Sequence, residues 1–316
     1  MRVVKSVKTE EIIHNFIDDD VLSFEPVGEG HINDTYVVTS AAEKFICQRV
    51  KGTMDAGKLL HNFELYAEAF RAEGMFFPDW IKNRNGKYFL TDENGDNWRM
   101  YPLIDGDILC APLEEEILCA CGEGLAKMHM ILGKIKEKPE AVYPGLRNLK
   151  FFYDEYCKVL SGVGLVEERR DRELEAIIEN KVADMLAVTP IEQAPVHGDP
   201  KLSNILFRGG KVIGFIDMDT VMLGSKLEDL ADCIRSCCVK DGRLDREAAQ
   251  IIADGYASVT GTAVAPAELK RAFDKICFEL ALRYYTDSIS TVGHFKEHYP
   301  GYRLEKARAM IETTWD

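Results

Sequence analysis

The sequence lacks the long apolar runs and the basic excess that mark several common classes of protein. None of its 316 residues lies in an uninterrupted apolar run approaching about 18 residues, so no transmembrane helix is expected. Its 39 Lys and Arg are outnumbered by 53 Asp and Glu. The net charge of −14 argues against nucleic-acid binding and against adhesion to anionic membranes. The N-terminal segment becomes charged before an apolar stretch reaches signal-peptide length, so no export signal is expected.

The nine cysteines also lack the spacing of a metal site or a redox pair, because none of them forms a CxxC motif. Several lie in apolar patterns with helical spacing, where a free cysteine behaves as a small hydrophobic residue. These positions and the odd count favour a reducing, cytoplasmic compartment and argue against structural zinc. Hydrophobic residues make up 46% of the chain and charged residues 29%, which is an ordinary globular composition. The length allows one large domain or two modest ones.

The pattern of apolar residues divides the chain into a strand-rich first part and a helical remainder. In the first part, 35–38 and 44–50 resemble a hairpin, and 56–72 has the spacing of an amphipathic helix. The change falls near residues 101–106, which predicts an N-terminal lobe over 1–103 and a larger C-terminal lobe over 104–316. The helices predicted for the second lobe are one opening at Pro112, then 150–160, 171–186, 227–239, 246–258, 266–290 and 304–314.

The most informative segment is HGDPKLSN (197–204), which is followed, after an apolar strand, a glycine turn and a second strand, by IDMD (216–219). Phosphoryl transfer needs a carboxylate that orients the acceptor hydroxyl, oxygen ligands for Mg²⁺, and a cation that neutralises developing charge. Asp199 can supply the carboxylate, and Asn204 and Asp217 can supply the oxygen ligands. Lys201 can supply the cation, while Asp219 suits a second metal contact or a structural hydrogen-bond acceptor equally well. Because the hairpin returns the chain, Asp199, Asn204 and Asp217 are predicted to meet in one cleft.

This compound pattern resembles the aminoglycoside phosphotransferase/choline kinase group of small-molecule kinases, which are relatives of the eukaryotic-type protein kinases. The segment 197–204 matches the catalytic loop of the group, and Asp217 matches its metal-binding aspartate. The resemblance implies an α+β, protein-kinase-like fold of two lobes, with ATP under the N-terminal sheet and the acceptor over the C-terminal lobe. It also implies ATP and Mg²⁺ as cofactors and Asp199 as the base.

A narrower resemblance links the chain to the N-acetylhexosamine 1-kinases. The segments GEGHINDTY (28–36), QR (48–49), DMDTVM (217–222) and RYYTD (283–287) with HFK (294–296) resemble segments of that family in the same order. The resemblance implies phosphorylation of the anomeric hydroxyl of GlcNAc or GalNAc, so the partner is a small-molecule sugar. The implied sugar contacts are His31, Asp34, Arg283 and His294, and the implied nucleotide contacts are Gly28, Gly30, Arg49, Lys201 and Asp219.

The sequence departs from the pattern of these kinases in three places. His294 stands where the family carries Tyr, and Asn33 replaces the third glycine of a GxGxxG loop. The strand at 44–50 carries Gln48 and Arg49 where kinase relatives usually carry a Lys. Strand alternation puts these two side chains on opposite faces, and the sequence leaves open which of them faces ATP.

Two other interpretations also remain open from the sequence. The same chemistry could act on another hexose, an amino alcohol or an aminoglycoside, and the acidic composition mildly favours a cationic acceptor. The alternative from another class is a non-catalytic, ligand-binding pseudokinase, against which the presence of Asp199, Asn204 and Asp217 counts. No nucleic-acid or membrane partner is expected, and the oligomeric state is not predicted.

Overall fold

A computed structural model of the chain describes residues 7–27, 34–52, 54–143, 145–188, 193–240 and 242–315. Within these ranges the chain forms an N-terminal lobe built on an antiparallel sheet and a larger C-terminal lobe of helices. This arrangement confirms the predicted two-lobed α+β fold. No helix within the described ranges combines the length and the apolar character needed to cross a membrane.

The N-terminal lobe is organised by the two faces of its sheet. Its strands are β1 (Val21–Pro26), β2 (Asp34–Ser40), β3 (Lys44–Val50), β4 (Leu90–Thr91) and β5 (Asn97–Pro102), in the spatial order β1–β2–β3–β5–β4. One face is covered by helix α1 (Val7–Ile13) and the turn after it, where Ile13 and Phe16 pack in one cluster with Cys47 and Met100. Because side chains alternate along a strand, the neighbours of Cys47 in β3 point to the other face.

Helix α2 (Ala56–Ala72) lies against that other face and confirms the predicted helix over 56–72. Asp55 caps its N-terminus, because the carboxylate accepts hydrogen bonds from the backbone N–H groups of residues 57 and 58. Its buried stripe includes Phe63, whose ring stacks on Trp80 with centroids 4.3 Å apart. Glu64 and Glu68 lie on the exposed side of the helix, so neither of the α2 carboxylates faces the sheet.

The C-terminal lobe is a set of helices packed around two apolar clusters, a larger one that includes Leu125 and Ile234 and a smaller one that includes Tyr156 and Ile178. The helices are α3 (Glu115–Lys134), α4 (Leu149–Leu160), α5 (Arg172–Leu186), α6 (Lys226–Cys238), α7 (Arg246–Thr260), α8 (Pro266–Ile289) and α9 (Tyr302–Glu312). The helix expected from Pro112 begins at Glu115, and the others agree with prediction to within two residues. Helices α3 and α7 can approach closely because residue 122 is a glycine. A Cβ at Gly122 would lie 2.0 Å from the carbonyl oxygen of Ile252.

Short strands position the loops that carry the informative segments. They are β6 (Ala194–Val196), β7 (Ile205–Arg208), β8 (Lys211–Phe215), β9 (Met222–Gly224), β10 (Val239–Lys240) and β11 (Arg243–Leu244). The β7–β8 hairpin turns through Gly209 and Gly210, which have φ angles of 55° and 74°. Because β6 pairs with β9 in antiparallel fashion, the loop after β6 and the loop before β9 lie side by side. These loops contain residues 197–204 and 216–219.

Candidate active site

The carboxylate of Asp199, in the loop after β6, is held by two side chains of its own loop. Lys201 Nζ lies 2.6 Å from Asp199 Oδ2 and forms an ion pair with it. Asn204 Nδ2 donates to the backbone oxygen of Asp199 at 2.9 Å and to Oδ2 at 3.1 Å. Burial works against the charged ammonium group, but Asp199 and Asp217 outweigh it and raise the pKa of Lys201. Lys201 is therefore a charged partner of the candidate base.

Asp217 follows β8, where the backbone takes a left-handed conformation with φ 58° and ψ 46°. The N–H of Ile216 donates to the backbone oxygen of Asn204 at 2.9 Å, which places residue 217 beside Asn204. Burial, and then the nearby carboxylate of Asp219, raises the pKa of Asp217 to about 6. A carboxylate in such surroundings is stabilised by a cation. The structure therefore brings Asp199, Asn204 and Asp217 together.

His197 braces the two loops that meet at this point. Its Nδ1 accepts the N–H of Asp199 at 3.2 Å, and its Nε2 lies 3.1 Å from the backbone oxygen of Ile216. The proton therefore belongs on Nε2, which donates to Ile216. Burial lowers the pKa of His197, so the ring is neutral at pH 7. A neutral ring with both nitrogens engaged supports the loops and is not placed to move a proton.

Asp229, in the first turn of α6, supports the catalytic loop, and sequence reasoning missed it. The buried carboxylate accepts the N–H of His197 at 2.8 Å and the N–H of Gly198 at 3.1 Å. His129 Nε2 lies 3.1 Å from the same carboxylate, and His129 Nδ1 lies 2.8 Å from the hydroxyl of Tyr256. The sequence marks Asp229 only weakly, because acidic residues are common in the first turn of any helix.

Arg147 holds the same loop from another side and was also missed. Its Nε donates to the backbone oxygen of Gly198 at 3.0 Å, and its Nη2 donates to Asp232 at 2.6 Å. Arg235 Nε donates to the other oxygen of Asp232 at 2.8 Å. Burial alone would raise the pKa of Asp232, but the two arginines outweigh it and hold that pKa well below its usual range. Arg147 has a positive φ of 58°, a strained backbone for a residue other than glycine.

The cleft face of the N-terminal sheet presents Gln48 and Arg99, which are paired in register across β3 and β5. Both line a cavity of about 20 Å³ beneath the sheet, together with Asp217 and Asp219. Arg99 donates to the Asp219 carboxylate at 2.7 and 2.8 Å and to Gln48 Oε1 at 3.0 and 2.8 Å. Asp219 is therefore one half of an ion pair between the lobes. Of the two β3 side chains, Gln48 faces the cleft.

Arg49 and Asp34 lie on the opposite face of the sheet, which corrects the expectation that they contact nucleotide and sugar. They pair in register, and their side chains form an ion pair. The Arg49 guanidinium also lies 5.9 Å from the ring centroid of Trp98. Since Gln48 faces the cleft, alternation directs its neighbour away from Asp199. The other residues expected from this segment, Gly28, Gly30 and His31, lie outside the described residues.

Arg283, on α8, lies between two aromatic rings, with its guanidinium carbon 4.6 Å from the centroid of Phe152 and 5.2 Å from that of Phe295. No carboxylate within the described ranges lies at ion-pair distance from it, and burial lowers its pKa. Asp287 instead accepts the backbone N–H groups of His294 at 2.6 Å and Phe295 at 2.7 Å. Its hydrogen bond to the His294 ring raises the pKa of that histidine, whose side chain is 85% exposed.

Asn204 and Asp217 have the chemistry of a magnesium site. Because Nδ2 of Asn204 donates to Asp199, its Oδ1 is left to accept a metal. Asp217 adds a carboxylate that accepts no hydrogen bond from the described residues. Within that part of the chain, no cluster of three or more His, Cys, Asp or Glu side chains could hold a metal alone. This donor set fits Mg²⁺, which takes few protein ligands and completes its shell with phosphate oxygens and water.

Comparison with known proteins supports the same chemistry. The family model of the phosphotransferase enzyme family matches residues 23–264. A homoserine kinase of Methylobacillus flagellatus is 24% identical over 242 residues, covering 76% of this chain and 72% of that protein. A homoserine kinase of Hyphomonas neptunium is 22% identical over 281 residues, covering 86% of this chain and 82% of that protein.

Solved structures share the fold over nearly the whole chain. An amicoumacin kinase solved with AMP-PNP and Ca²⁺ has a TM-score of 0.68 at 11% identity, covering 98% of this chain and 93% of that one. A microcompartment-associated aminopropanol kinase has a TM-score of 0.65 at 14% identity, covering 97% and 94%. The acceptors named for these proteins differ, so the likeness does not identify the acceptor here.

The family match runs from β1 to beyond α7 and includes the catalytic loop, Asp217 and Asp229. It confirms the expected phosphotransferase class, and the AMP-PNP and Ca²⁺ of the amicoumacin kinase complex agree with the expected ATP and divalent metal. The chain therefore belongs to the phosphotransferase enzyme family.

Proposed function

We propose that this enzyme transfers the γ-phosphoryl group of ATP to the anomeric hydroxyl of an N-acetylhexosamine, GlcNAc or GalNAc. The observation that carries the phosphoryl transfer is the meeting of Asp199, Asn204 and Asp217 at one end of the cleft. The support for the sugar is the set of ordered segments that resemble the N-acetylhexosamine 1-kinases.

In this proposal Asp199 orients the acceptor hydroxyl and takes its proton late in the transfer. Its Oδ2 already accepts hydrogen bonds from Lys201 and Asn204, which leaves Oδ1 for the acceptor hydroxyl. Lys201 lies beside the base and neutralises charge on the phosphoryl group as it moves. Bound Mg²⁺ supplies neutralisation of the phosphate oxygens, and Asn204 and Asp217 would hold it. The protein then contributes alignment and electrostatics and forms no covalent bond to the substrate.

Arg283 is the residue that we place on the acceptor side. The charge of Asp199 offsets part of the effect of burial on the pKa of Arg283, and we place the two side chains in the same cleft. Phe152 and Phe295 flank the guanidinium, and its N–H groups can bind the acetamido carbonyl of the sugar. A site built to bond such an oxygen discriminates strongly against an acceptor that lacks it. His294, next to Phe295, is the proposed second contact.

A hydroxy amino acid is the second candidate acceptor, because of one feature of Arg283. Its guanidinium has no ion-pair partner among the described residues, and an α-carboxylate would provide a bidentate one. The matched relatives from Methylobacillus flagellatus and Hyphomonas neptunium are named homoserine kinases. With such an acceptor, the side-chain hydroxyl would face Asp199.

An acceptor panel tests the proposal. The protein is incubated with Mg·ATP and GlcNAc, GalNAc, glucose, homoserine or an aminoglycoside, and release of ADP is measured. We expect ADP release with an N-acetylhexosamine, and ³¹P–¹H NMR of the product should couple the phosphate to the anomeric proton. Turnover confined to homoserine would replace the sugar by the second candidate. A rise in melting temperature with sugar but no ADP release with any acceptor would indicate a pseudokinase. The Asp199→Asn variant, run in parallel, controls for contaminating activity.

A further inference from the structure

We propose that Arg99 is the positioning residue of the metal-binding segment, which it holds through Asp219 from the opposite lobe. The inference rests on the proposed nucleotide site and adds to it a residue of the N-terminal sheet. Arg99 and Asp219 are 120 residues apart in the chain, yet they meet in a bidentate ion pair between β5 and the loop after β8.

The position of this cation is unusual for a kinase-like fold. In protein kinases, a lysine of β3 pairs with a glutamate of the helix that follows it. Here β3 presents the uncharged Gln48 to the cleft, and Glu64 and Glu68 of α2 are exposed. Arg99, beside Gln48 in register, brings a buried cation to this place, and its acidic partner belongs to the C-terminal lobe.

The contacts of Arg99 leave it little capacity to bind a phosphate directly. Its side chain is 3% exposed and that of Asp219 is 4% exposed. The guanidinium lies 4.6 Å from the ring centroid of Trp80. Of its five N–H groups, four donate hydrogen bonds, two to Gln48 and two to Asp219. Arg99 therefore acts through Asp219, whose carboxylate plane the fork of the guanidinium fixes.

Fixing Asp219 also fixes Asp217, because only Met218 separates them in a short 3₁₀ turn. The left-handed backbone of Asp217 is a strained conformation that its surroundings must maintain. The cation of Arg99 balances the charge of Asp219, so Asp217 is left as the carboxylate that meets the metal. It also offsets the repulsion between these two carboxylates and the nucleotide phosphates.

The test removes the pair without burying a lone charge. Arg99→Met alone leaves Asp219 buried without its cation, so the main variant is Arg99→Met with Asp219→Leu, in which apolar side chains replace both partners. Arg99→Lys keeps the charge but loses the fork. The matched control is Arg170→Met with Glu175→Leu, which removes a bidentate pair at 2.8 and 2.7 Å among the helices of the C-terminal lobe.

Binding of Mg·AMP-PNP is measured by calorimetry at several Mg²⁺ concentrations, which requires no acceptor. We expect the double variant to unfold in one thermal transition. It should bind Mg·AMP-PNP about tenfold more weakly and require a higher Mg²⁺ concentration for binding, because loss of a residue that orients a metal ligand typically weakens metal binding by about 10–100-fold. Arg99→Lys should be intermediate, and the control should match wild type. Wild-type affinity in the double variant, or in Arg99→Lys should the double variant not fold, would overturn the positioning role. A wild-type protein that does not bind Mg·AMP-PNP would count against the proposed function itself.

Discussion

Lys201 Nζ lies 2.6 Å from Oδ2 of Asp199, so the candidate base is one half of an ion pair. The amide of Asn204 donates to the same oxygen at 3.1 Å. The base is thus oriented by its own loop, which is in turn held by Asp229 and Arg147. In the proposed reaction, this arrangement leaves the second oxygen of Asp199 for the acceptor hydroxyl.

Replacing Asp199 by Asn should remove the base while keeping the size of the side chain. We expect kcat to fall by about 10²–10⁴-fold, which is the usual contribution of a general base. Affinity for Mg·ATP should change little, because Asn204 and Asp217 remain. Steady-state kinetics and nucleotide titration measure the two effects, and Asp184→Asn, at an exposed position of α5, is the control. Near-normal turnover in Asp199→Asn would remove this residue from the role.

Replacing Asp217 by Ala should weaken metal-dependent nucleotide binding. Mutation of a residue that only orients a metal ligand typically lowers metal affinity by about 10–100-fold. Because Asp217 is the proposed ligand itself, we expect its loss to lower affinity for Mg·AMP-PNP by at least about 100-fold. Binding of ADP without Mg²⁺ should be much less affected, which separates loss of the metal from loss of the fold. Equal Mg·AMP-PNP affinity in the variant and in wild type would contradict the ligand assignment.

Replacing Arg283 by Met keeps an apolar side chain between Phe152 and Phe295 but removes the guanidinium. A hydrogen bond to a charged group is worth about 1.5–3 kcal/mol, so KM for the acceptor should rise by about 10–100-fold. KM for ATP should stay unchanged. Arg271→Met, at an exposed position of the same helix, is the matched control. An acceptor KM that does not respond would place Arg283 outside the acceptor site.

The buried pairs of Asp232 with Arg147 and Arg235 predict a pH dependence of stability. The folded state holds the pKa of Asp232 below its unfolded value of about 3.9, so the pairs stabilise the fold above that pH. This stabilisation is lost as pH falls through the folded pKa. Wild type should exceed Asp232→Asn by about 3–5 kcal/mol in free energy of unfolding at pH 7. Urea unfolding should show this difference shrinking below about pH 4, and a constant difference from pH 6 to pH 3 would contradict the account.

The parts of the site that could be predicted from the sequence are those formed by neighbouring segments. Asp199, Asn204 and Asp217 lie on one loop and the hairpin after it, so their spacing already implies their meeting. The helix over 56–72 was also predictable, since its apolar stripe and the cap at Asp55 are local features.

The contacts that hold the site from a distance could not be predicted. Arg99 meets Asp219 across 120 residues, and Arg147 meets Asp232 across 85, so no local pattern marks either arginine. The alternation of side chains along a strand predicted that Gln48 and Arg49 point to opposite faces of the sheet, but it did not show which of them faces the cleft. That choice is made by α1 and the turn after it, whose Ile13 covers the other face.

The most direct measurement is a crystal structure of the wild-type enzyme with Mg·AMP-PNP and its acceptor. The account predicts Asn204 Oδ1 and one carboxylate oxygen of Asp217 at about 2.0–2.1 Å from the metal. It also predicts the acceptor hydroxyl within hydrogen-bond distance of Asp199. A metal held by other side chains, or a nucleotide bound away from Asp199, would contradict it.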